Sequence, residues 1–443
     1  MTAVIAPVAY MAMFSGFRLY DDEGFFLITL RDFVSGRPLL APNNPLYGPF
    51  FYEVVGGLFK LLDIAPGHDS GRFVTLSFWL LATLIGGVAV FRLTRNLWLA
   101  LGAQMVTFSV LIALSDEPSS TYGLISVLLQ GLICAAAFRS KWPRATAALI
   151  GGIVGALCLI KINVGAFAAL AVVFAWACSL RNPARQRAVG LLGALMVAAP
   201  AVLVRAFLNQ DWAVEFALLV GLSAATIGVA GVMRPPRRPW PLHSGWLMAG
   251  GTIVIVISLG IAAAGGTTLA DTGNMLAISL RFAGVFVVPL TTGVVYDVWA
   301  AVSVVAAFVI FRGLLGDSER FAAVLGLVRV AAGLYTVLLL LTLPEPIFLL
   351  GLPLVWLAAV PPRREAGDDP SNSYGRLLLP ALAVMESLQA FPIAGSQLSL
   401  AALALIPVGF VTLNDGLREL RAATPGFLQL QIAARSTVVP AVP

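Results

Sequence analysis

The sequence predicts an all-α fold, a polytopic transmembrane helical bundle, from three observations. Of the 443 residues, 59% are hydrophobic and 11% are charged, against roughly 25% charged residues in an average soluble domain. The apolar residues form blocks of about 17 to 25 residues, the length that a helix needs to cross a bilayer. Short polar stretches separate these blocks. We therefore expect one membrane-embedded bundle and not a string of soluble domains.

The blocks give the predicted spans in chain order. They run at 1–17, 71–91, 97–115, 119–138, 144–160, 162–180, 188–207, 213–232, 245–265, 282–311, 321–342, 346–360, 376–393 and 397–413. This is about 14 spans, within a range of 12 to 14. The stretch from Pro289 to Asp297 is compatible with one long broken helix or with two short ones. We expect one transmembrane domain over 1–415 and a cytoplasmic tail over 416–443.

Basic residues predict the orientation of the bundle. The chain has 28 Lys and Arg against 22 Asp and Glu. When the predicted loops alternate, 19 of these basic residues fall on the side of the N-terminus and seven on the other side. Positive loops stay in the cytoplasm, so both termini should be cytoplasmic. Arg205 and Arg329 fall within spans, where they could neutralise buried acids or line a lipid cavity. No basic run is interleaved with aromatic residues, so nucleic-acid binding is not expected.

The usual metal ligands show no metal-binding pattern. Cys134, Cys158 and Cys178 lie in apolar segments without paired spacing, which indicates core packing. His68 and His243 are single histidines in loops on opposite sides of the membrane. We predict no metal site and no resident cofactor, and a divalent cation (Mg²⁺ or Mn²⁺) stays open as an alternative.

The first outer loop, at about 18–70, is much longer than the other loops, and long loops in compact proteins are usually functional. Residues 24–35 mix apolar and polar side chains as an interfacial helix does. A run of breakers from Ala41 to Pro45 precedes a second predicted helix at about 46–62. These two interfacial helices could fence a cavity at the outer membrane surface.

Three adjacent acids, Asp21, Asp22 and Glu23, stand where the first span leaves the bilayer. They are open to two interpretations. Asp21 or Asp22 could cap the interfacial helix that begins near Glu23. Alternatively, one of them is a general base that deprotonates an acceptor hydroxyl.

Several motifs resemble the GT-C superfamily of glycosyltransferases. They are the acidic Asp22-Glu23-Gly24, "LRDFVSGRPLL", "YGPFFY", "LFKLLD", "SDEPSSTYGLISVLLQGL" and "GGIVGALCLIKINVGAFAAL", and they cover roughly the first 180 residues. The resemblance implies a GT-C-like fold and a polyprenyl-phosphate sugar donor. It places the catalytic aspartate on Asp22, with Asp21 as the nearest competitor and Glu23 lining the site. It further implies a bacterial inner (plasma) membrane protein with its active site facing outward.

Other polar residues near the outer face are predicted to bind substrate. Lys161, between two apolar runs, either snorkels to the interface or binds the donor phosphate. Asp116 and Glu117 are either turn residues that cap the next helix or a second acidic site for the acceptor or a cation. The remaining predicted substrate-binding residues are Arg72, Arg281, Tyr47, Gln389 and Gln397.

These observations favour transfer of a sugar from a polyprenyl-phosphate donor to a lipid, glycan or protein acceptor outside the cytoplasm. Membrane lipids are the other expected partners. A transporter or flippase of a lipid-linked glycan is the alternative, but such proteins tend to show internal repeats and broken helices near the midplane. An O-antigen ligase or polymerase would carry its long outer loop late in the chain, whereas here it comes first.

Overall fold

A computed structural model describes residues 1–15, 23–39, 47–112, 114, 118–137, 142–180, 184–233, 243–282, 287–290, 292–314, 319–340, 349–360, 370–391 and 396–423. Over these residues the regular secondary structure is helical. Within this part of the chain, eight helices are long and apolar enough to cross a membrane, and five apolar helices are shorter. The protein is therefore an integral membrane protein.

The helices follow one another with short connections. The first eight are α1 (Thr2–Phe14), α2 (Glu23–Val34), α3 (Pro49–Leu62), α4 (His68–Thr94), α5 (Leu97–Ile112), α6 (Tyr122–Ala137), α7 (Pro143–Ile160) and α8 (Ile162–Cys178). They are followed by α9 (Ala184–Leu203), α10 (Asp211–Met233), α11 (Ser244–Ala264), α12 (Leu269–Phe282), α13 (Val294–Phe311), α14 (Glu319–Leu340), α15 (Pro370–Glu386), α16 (Ser396–Ala402) and α17 (Leu405–Ala423). Three 3₁₀ helices lie at Arg205–Phe207, Leu352–Ala359 and Ser387–Ala390.

The two helices predicted in the first long loop are present. They are α2 and α3, which pack against each other. Pro49 stands at the first position of α3, where its missing N–H is not needed by the helix. The predicted segment 282–311 is not one helix. α13 begins at Val294, and α12 ends at Phe282, so almost all of α12 precedes the predicted segment. Within the described residues of this segment there is one helix, Val294–Phe311, so neither alternative, one long broken helix or two short ones, is confirmed.

Glycines bring α7 and α11 into close contact. A Cβ added to Gly151 would lie 1.8 Å from the Leu247 carbonyl oxygen, and one added to Gly250 would lie 1.9 Å from that of Ala148. Small residues of this kind let helix backbones approach each other within a membrane bundle. The glycine-rich sequence of α7 thus fixes this helix, and the residue that follows it, within the bundle.

Four buried charged residues join α14, α15 and α17. Arg329 Nη1 donates to Glu419 Oε1 at 2.7 Å, and Arg376 Nη2 donates to Asp415 Oδ1 at 3.1 Å. Arg329 thus neutralises a buried acid, one of the two roles predicted for it, whereas Arg205 lies in a 3₁₀ turn and is exposed. α17 runs from Leu405 to Ala423, so the boundary predicted between 415 and 416 falls inside this helix.

Candidate functional site

Glu23, the first residue of α2, is fully buried and accepts hydrogen bonds from three side chains. Arg72 Nε donates to Oε1 at 2.9 Å and Arg72 Nη2 donates to Oε2 at 2.8 Å. This bidentate arrangement is the strongest geometry for an arginine and a carboxylate. Ser119 Oγ donates to Oε1 at 2.9 Å, and His68 Nδ1 lies 2.8 Å from Oε2. These four residues form what we call the Glu23 hub.

The hub keeps Glu23 ionised. Burial alone would raise the pKa of this carboxyl, but hydrogen bonds from Arg72, His68 and Ser119 outweigh it, and the pKa lies below its ordinary value. Two acceptor contacts on each oxygen use the capacity of the carboxylate. Glu23 is therefore suited to hold neighbouring segments in place and is poorly suited to take a proton at neutral pH.

The hub ties together the ends of several helices. Arg72 Nη1 donates to the Met13 carbonyl oxygen, in the last turn of α1, at 3.2 Å. Ser119, in the turn before α6, has a φ of 59°, a left-handed conformation that a serine rarely adopts. Arg72 thereby fixes both the end of α1 and the start of α2. The predicted catalytic residues Asp21 and Asp22 are in the segment between them, outside the described residues.

Lys161 stands at the break between α7 and α8, as the sequence predicted. Its backbone is extended, with φ −147° and ψ 107°, and interrupts two otherwise adjoining helices. Its Nζ atom is buried and lies 5.3 Å from the centre of the Tyr122 ring and 5.9 Å from that of Tyr47. Both distances are within the range of a cation–π contact. The ammonium is thus held away from bulk water between two aromatic faces.

Tyr47 reaches this position because the chain docks on the α7–α8 break. The Gly48 N–H donates to the Ile160 carbonyl oxygen at 2.9 Å. A Cβ on Gly48 would lie 2.1 Å from the Leu159 carbonyl oxygen, so no larger residue fits this approach. The Tyr-Gly-Pro sequence therefore places an aromatic ring by Lys161, a glycine on the break, and the start of α3.

A buried polar pair lies at the end of α15. Glu386 and Gln389 are fully buried, and Gln389 Nε2 donates to Glu386 Oε2. α15 packs against α8, which begins directly after Lys161. Gln397, in α16, is 8% exposed, and α16 packs against the 3₁₀ turn that contains Gln389. The described part of the chain therefore brings α15 and the α7–α8 break together.

The Glu23 hub and the Lys161 cluster are neighbours. Ser119 of the hub and Tyr122, beside Lys161, lie three residues apart at the start of α6. The Phe26 ring, one turn after Glu23, lies 4.9 Å from the Tyr47 ring. These contacts make one continuous region at one end of the bundle.

The predicted site residues fall into two groups. Glu23, Arg72, Lys161 and Tyr47 meet in this region, although Arg72 is engaged by Glu23. Gln389 and Gln397 lie in the 3₁₀ turn and the helix that follow α15, and these two elements pack against each other. Asp21, Asp22, Asp116 and Glu117 lie outside the described residues, and of Arg281 only the backbone, in α12, is described.

Sequence reasoning did not pick out His68, Ser119 or Tyr122. A signal existed for His68, because it lies four residues before Arg72 and therefore on the same face of α4. No local pattern marks Ser119, whose role follows from its turn. Within the described residues, no group of three or more His, Cys, Asp and Glu side chains could hold a metal ion.

A small apolar cleft lies beside the hub, between α2, α3 and α4. Its walls include Phe26, Leu30, Phe51 and Val74, and Ser119 lies at its edge.

Family models, curated proteins and solved structures were compared with this chain, and none matches it.

Proposed function

We propose that this protein is a membrane glycosyltransferase that transfers a sugar from a polyprenyl-phosphate donor to an acceptor outside the cytoplasm. The observation that carries the proposal is that Lys161 and the Glu23 hub are neighbours at one end of the bundle. Glu23 belongs to the acidic sequence motif. A cation, an acidic motif and apolar walls are the three features that a lipid-phosphate sugar requires.

Lys161 is the group we assign to the donor phosphate. Its ammonium is buried, where electrostatic interactions are stronger than in water. A preorganised cation at this place stabilises the charge that the phosphate gains as it leaves. Arg72 contributes indirectly, because its guanidinium holds Glu23.

The chemical step exchanges one bond at the anomeric carbon for another. The acceptor hydroxyl oxygen forms a bond to the anomeric carbon while the bond from that carbon to the phosphate oxygen breaks. The electron pair of the broken bond leaves with polyprenyl phosphate. The hydroxyl proton passes to a carboxylate, which we assign to Asp22, with Asp21 as the alternative.

The hub supports this assignment of the base. Asp22 is the chain neighbour of Glu23, so fixing Glu23 fixes the point from which Asp22 extends. Catalytic groups need such support, since small displacements cost large factors in rate.

The architecture that goes with this function is also proposed. It is a GT-C-like bundle of about 14 spans in a bacterial inner membrane, with cytoplasmic termini and the site facing outward. The eight long apolar helices and five shorter ones of the described residues are compatible with this number.

The test is Asp22→Asn, Asp21→Asn and the double variant, with Asp63→Asn as the matched control. Asp63 lies in the same loop, is exposed, and has a left-handed φ of 53° that asparagine tolerates. Membrane vesicles from cells that lack their own copy supply the acceptor, and release of polyprenyl phosphate from labelled polyprenyl-phosphate sugars is measured. Loss of the base should lower turnover by about 100-fold or more, while Asp63→Asn should leave it unchanged.

Two results would count against the proposal. Wild-type turnover in both single variants and in the double variant would remove the general base. Movement of the donor across the membrane without release of polyprenyl phosphate would instead indicate a flippase.

A further inference from the structure

We infer that the turn from Arg205 to Trp212, together with Phe391, forms a binding surface for a neutral glycan, and that this glycan is the acceptor. We call these residues the aromatic platform. The inference rests on the proposed function and selects one acceptor class, a neutral carbohydrate chain, from the lipid, glycan and protein acceptors that this function allows.

Three aromatic rings form the apolar part of the platform. The centre of the Trp212 ring lies 5.7 Å from that of Phe207 and 6.3 Å from that of Phe391, and the Phe207 and Phe391 rings are 6.0 Å apart. The planes of the Trp212 and Phe391 rings differ by 17°. Phe391 is buried, whereas Phe207 and Trp212 each keep part of their surface exposed. The turn therefore presents aromatic surface that rests on a buried ring.

Hydrogen bonds hold the turn in one conformation. Trp212 Nε1 donates to Gln210 Oε1 at 2.5 Å, which sets the direction of both side chains. The Gln210 N–H donates to the Phe207 carbonyl oxygen at 2.8 Å, and the Gln210 carbonyl oxygen accepts from the Ala213 N–H at 3.1 Å. A surface that is ordered before binding loses little entropy when a ligand arrives. The platform is therefore preorganised.

Polar side chains accompany the rings. Asn209, Gln210 and Asp211 are exposed. An amide both donates and accepts hydrogen bonds, and a carboxylate accepts them. A sugar ring has C–H groups on its faces and hydroxyl groups at its edge. Its faces match the face of an aromatic ring, and its hydroxyls match the amides and the carboxylate. The combination therefore fits a carbohydrate.

The charge of the turn favours a neutral ligand. Residues 205–212 carry one positive and one negative side chain, those of Arg205 and Asp211, so their formal charge is zero. The next charged residue along the chain is Glu215, which accepts a hydrogen bond from Thr292 Oγ1 at 3.1 Å. A surface without positive net charge does not attract an acidic glycan or an anionic lipid. The ligand that fits is an uncharged chain.

The platform lies at the same end of the bundle as Lys161. α6 begins beside Lys161, because Tyr122 contacts it. A Cβ on Gly375, near the start of α15, would lie 3.3 Å from the Ala136 carbonyl oxygen in the last turn of α6. α15 therefore starts at the far end of α6, and its 17 residues extend about 25 Å, enough to return to the end that contains Lys161. Phe391 follows α15 after one 3₁₀ turn. A glycan on the platform thus lies at the end of the bundle to which we assign the donor phosphate.

The experiment measures equilibrium binding of soluble oligosaccharides, without lipid, to the full-length protein in lipid nanodiscs. The probes are linear oligomers of mannose, glucose, galactose and arabinose, with an oligomer of galacturonic acid as the acidic comparison. The variants are Trp212→Ala and Gln210→Leu. Trp142→Ala is the matched control, because Trp142 is also an exposed tryptophan but lies at the start of α7, whose other end adjoins Lys161.

For the wild type we expect at least one neutral oligomer to bind with a Kd of about 1 mM or below. Trp212→Ala should weaken this binding about 10-fold or more, because it removes the stacking surface. Gln210→Leu should weaken it about 3-fold, and because Gln210 is exposed this variant carries the test if Trp212→Ala does not fold. Trp142→Ala should bind as wild type does, and the galacturonic acid oligomer should bind more weakly than the neutral one.

Three results overturn the inference. In the first, no neutral oligomer binds wild-type protein. In the second, Trp212→Ala and Gln210→Leu bind as tightly as Trp142→Ala, which would leave Trp212 as a membrane-interface tryptophan. In the third, the galacturonic acid oligomer binds as tightly as the neutral ones. Release of polyprenyl phosphate from the donor, measured separately, tests the proposed function. Release without oligosaccharide binding refutes only the platform, whereas binding at the platform without release leaves a glycan-binding surface and refutes the proposed function.

Discussion

The Glu23 hub allows one prediction to be worked out in magnitude. Glu23→Gln keeps the shape of the side chain and removes its charge. Arg72, 1% exposed, then keeps a buried positive charge without this counter-charge. Removing one partner of a buried ion pair costs about 3–5 kcal/mol of stability. We expect the free energy of unfolding of the purified protein to fall by that amount.

The chain offers a matched control in the same loop. Asp32 and Arg37 form an ion pair at 3.0 Å, but their side chains are 13% and 68% exposed. A pair of this kind contributes at most about 1 kcal/mol. Asp32→Asn should therefore change little, although it removes the same charge from an ion pair of similar length. Unfolding by denaturant titration in mixed micelles, followed by tryptophan fluorescence, measures both variants.

A double variant separates the ion pair from simple packing. Glu23→Gln combined with Arg72→Gln removes both charges, so it should be more stable than Glu23→Gln alone. The reasoning would be refuted if Glu23→Gln and Asp32→Asn were equally stable. It would also be refuted if the double variant lost as much free energy of unfolding as Glu23→Gln and Arg72→Gln lose when added together.

Two further variants test other parts of the first loop. Burial raises the pKa of Glu53 from 4.5 to about 7. The folded state thus keeps a proton that the unfolded state loses in this window, so stability should fall as pH rises from about 4.5 to 7. Glu53→Gln should abolish that fall and exceed wild type in stability at pH 8, and an unchanged pH slope in denaturant titrations would contradict this. Gly48→Ala should weaken binding of polyprenyl phosphate about 10-fold, because its Cβ would collide with a backbone carbonyl. Gly57→Ala, whose Cβ meets nothing within 4 Å, should bind as wild type does.

The sequence predicted the membrane class and the first loop well, because both depend on local pattern. Blocks of apolar residues identify spans, and the breakers before Pro49 separate α2 from α3. Lys161 could be placed at a helix break because it is a single charge between two apolar runs. α12 was not predicted, since its sequence, from Leu269 to Phe282, is too polar to be read as a span.

The contacts of the site could not be predicted from local pattern. Glu23 and Arg72 are separated by 49 residues, and Ser119 by 96 from Glu23. No periodicity connects residues at such distances. Arg72 was expected to bind phosphate because a lone arginine near the membrane surface suits that role, and its pairing with Glu23 depends on how α2 packs against α4. Glu386 lies at the end of α15, which packs against α8, and no local pattern predicts that packing.

The buried cluster of Arg329, Arg376, Asp415 and Glu419 bears on how the protein is made. Arg329 is synthesised 90 residues before Glu419, its partner in α17. At about 5–20 residues per second, α14 waits roughly 5 to 20 s for that partner. During this interval a lone arginine in an apolar helix is costly to leave in lipid. We therefore expect a nascent chain that stops before α17 to be a substrate for membrane quality control.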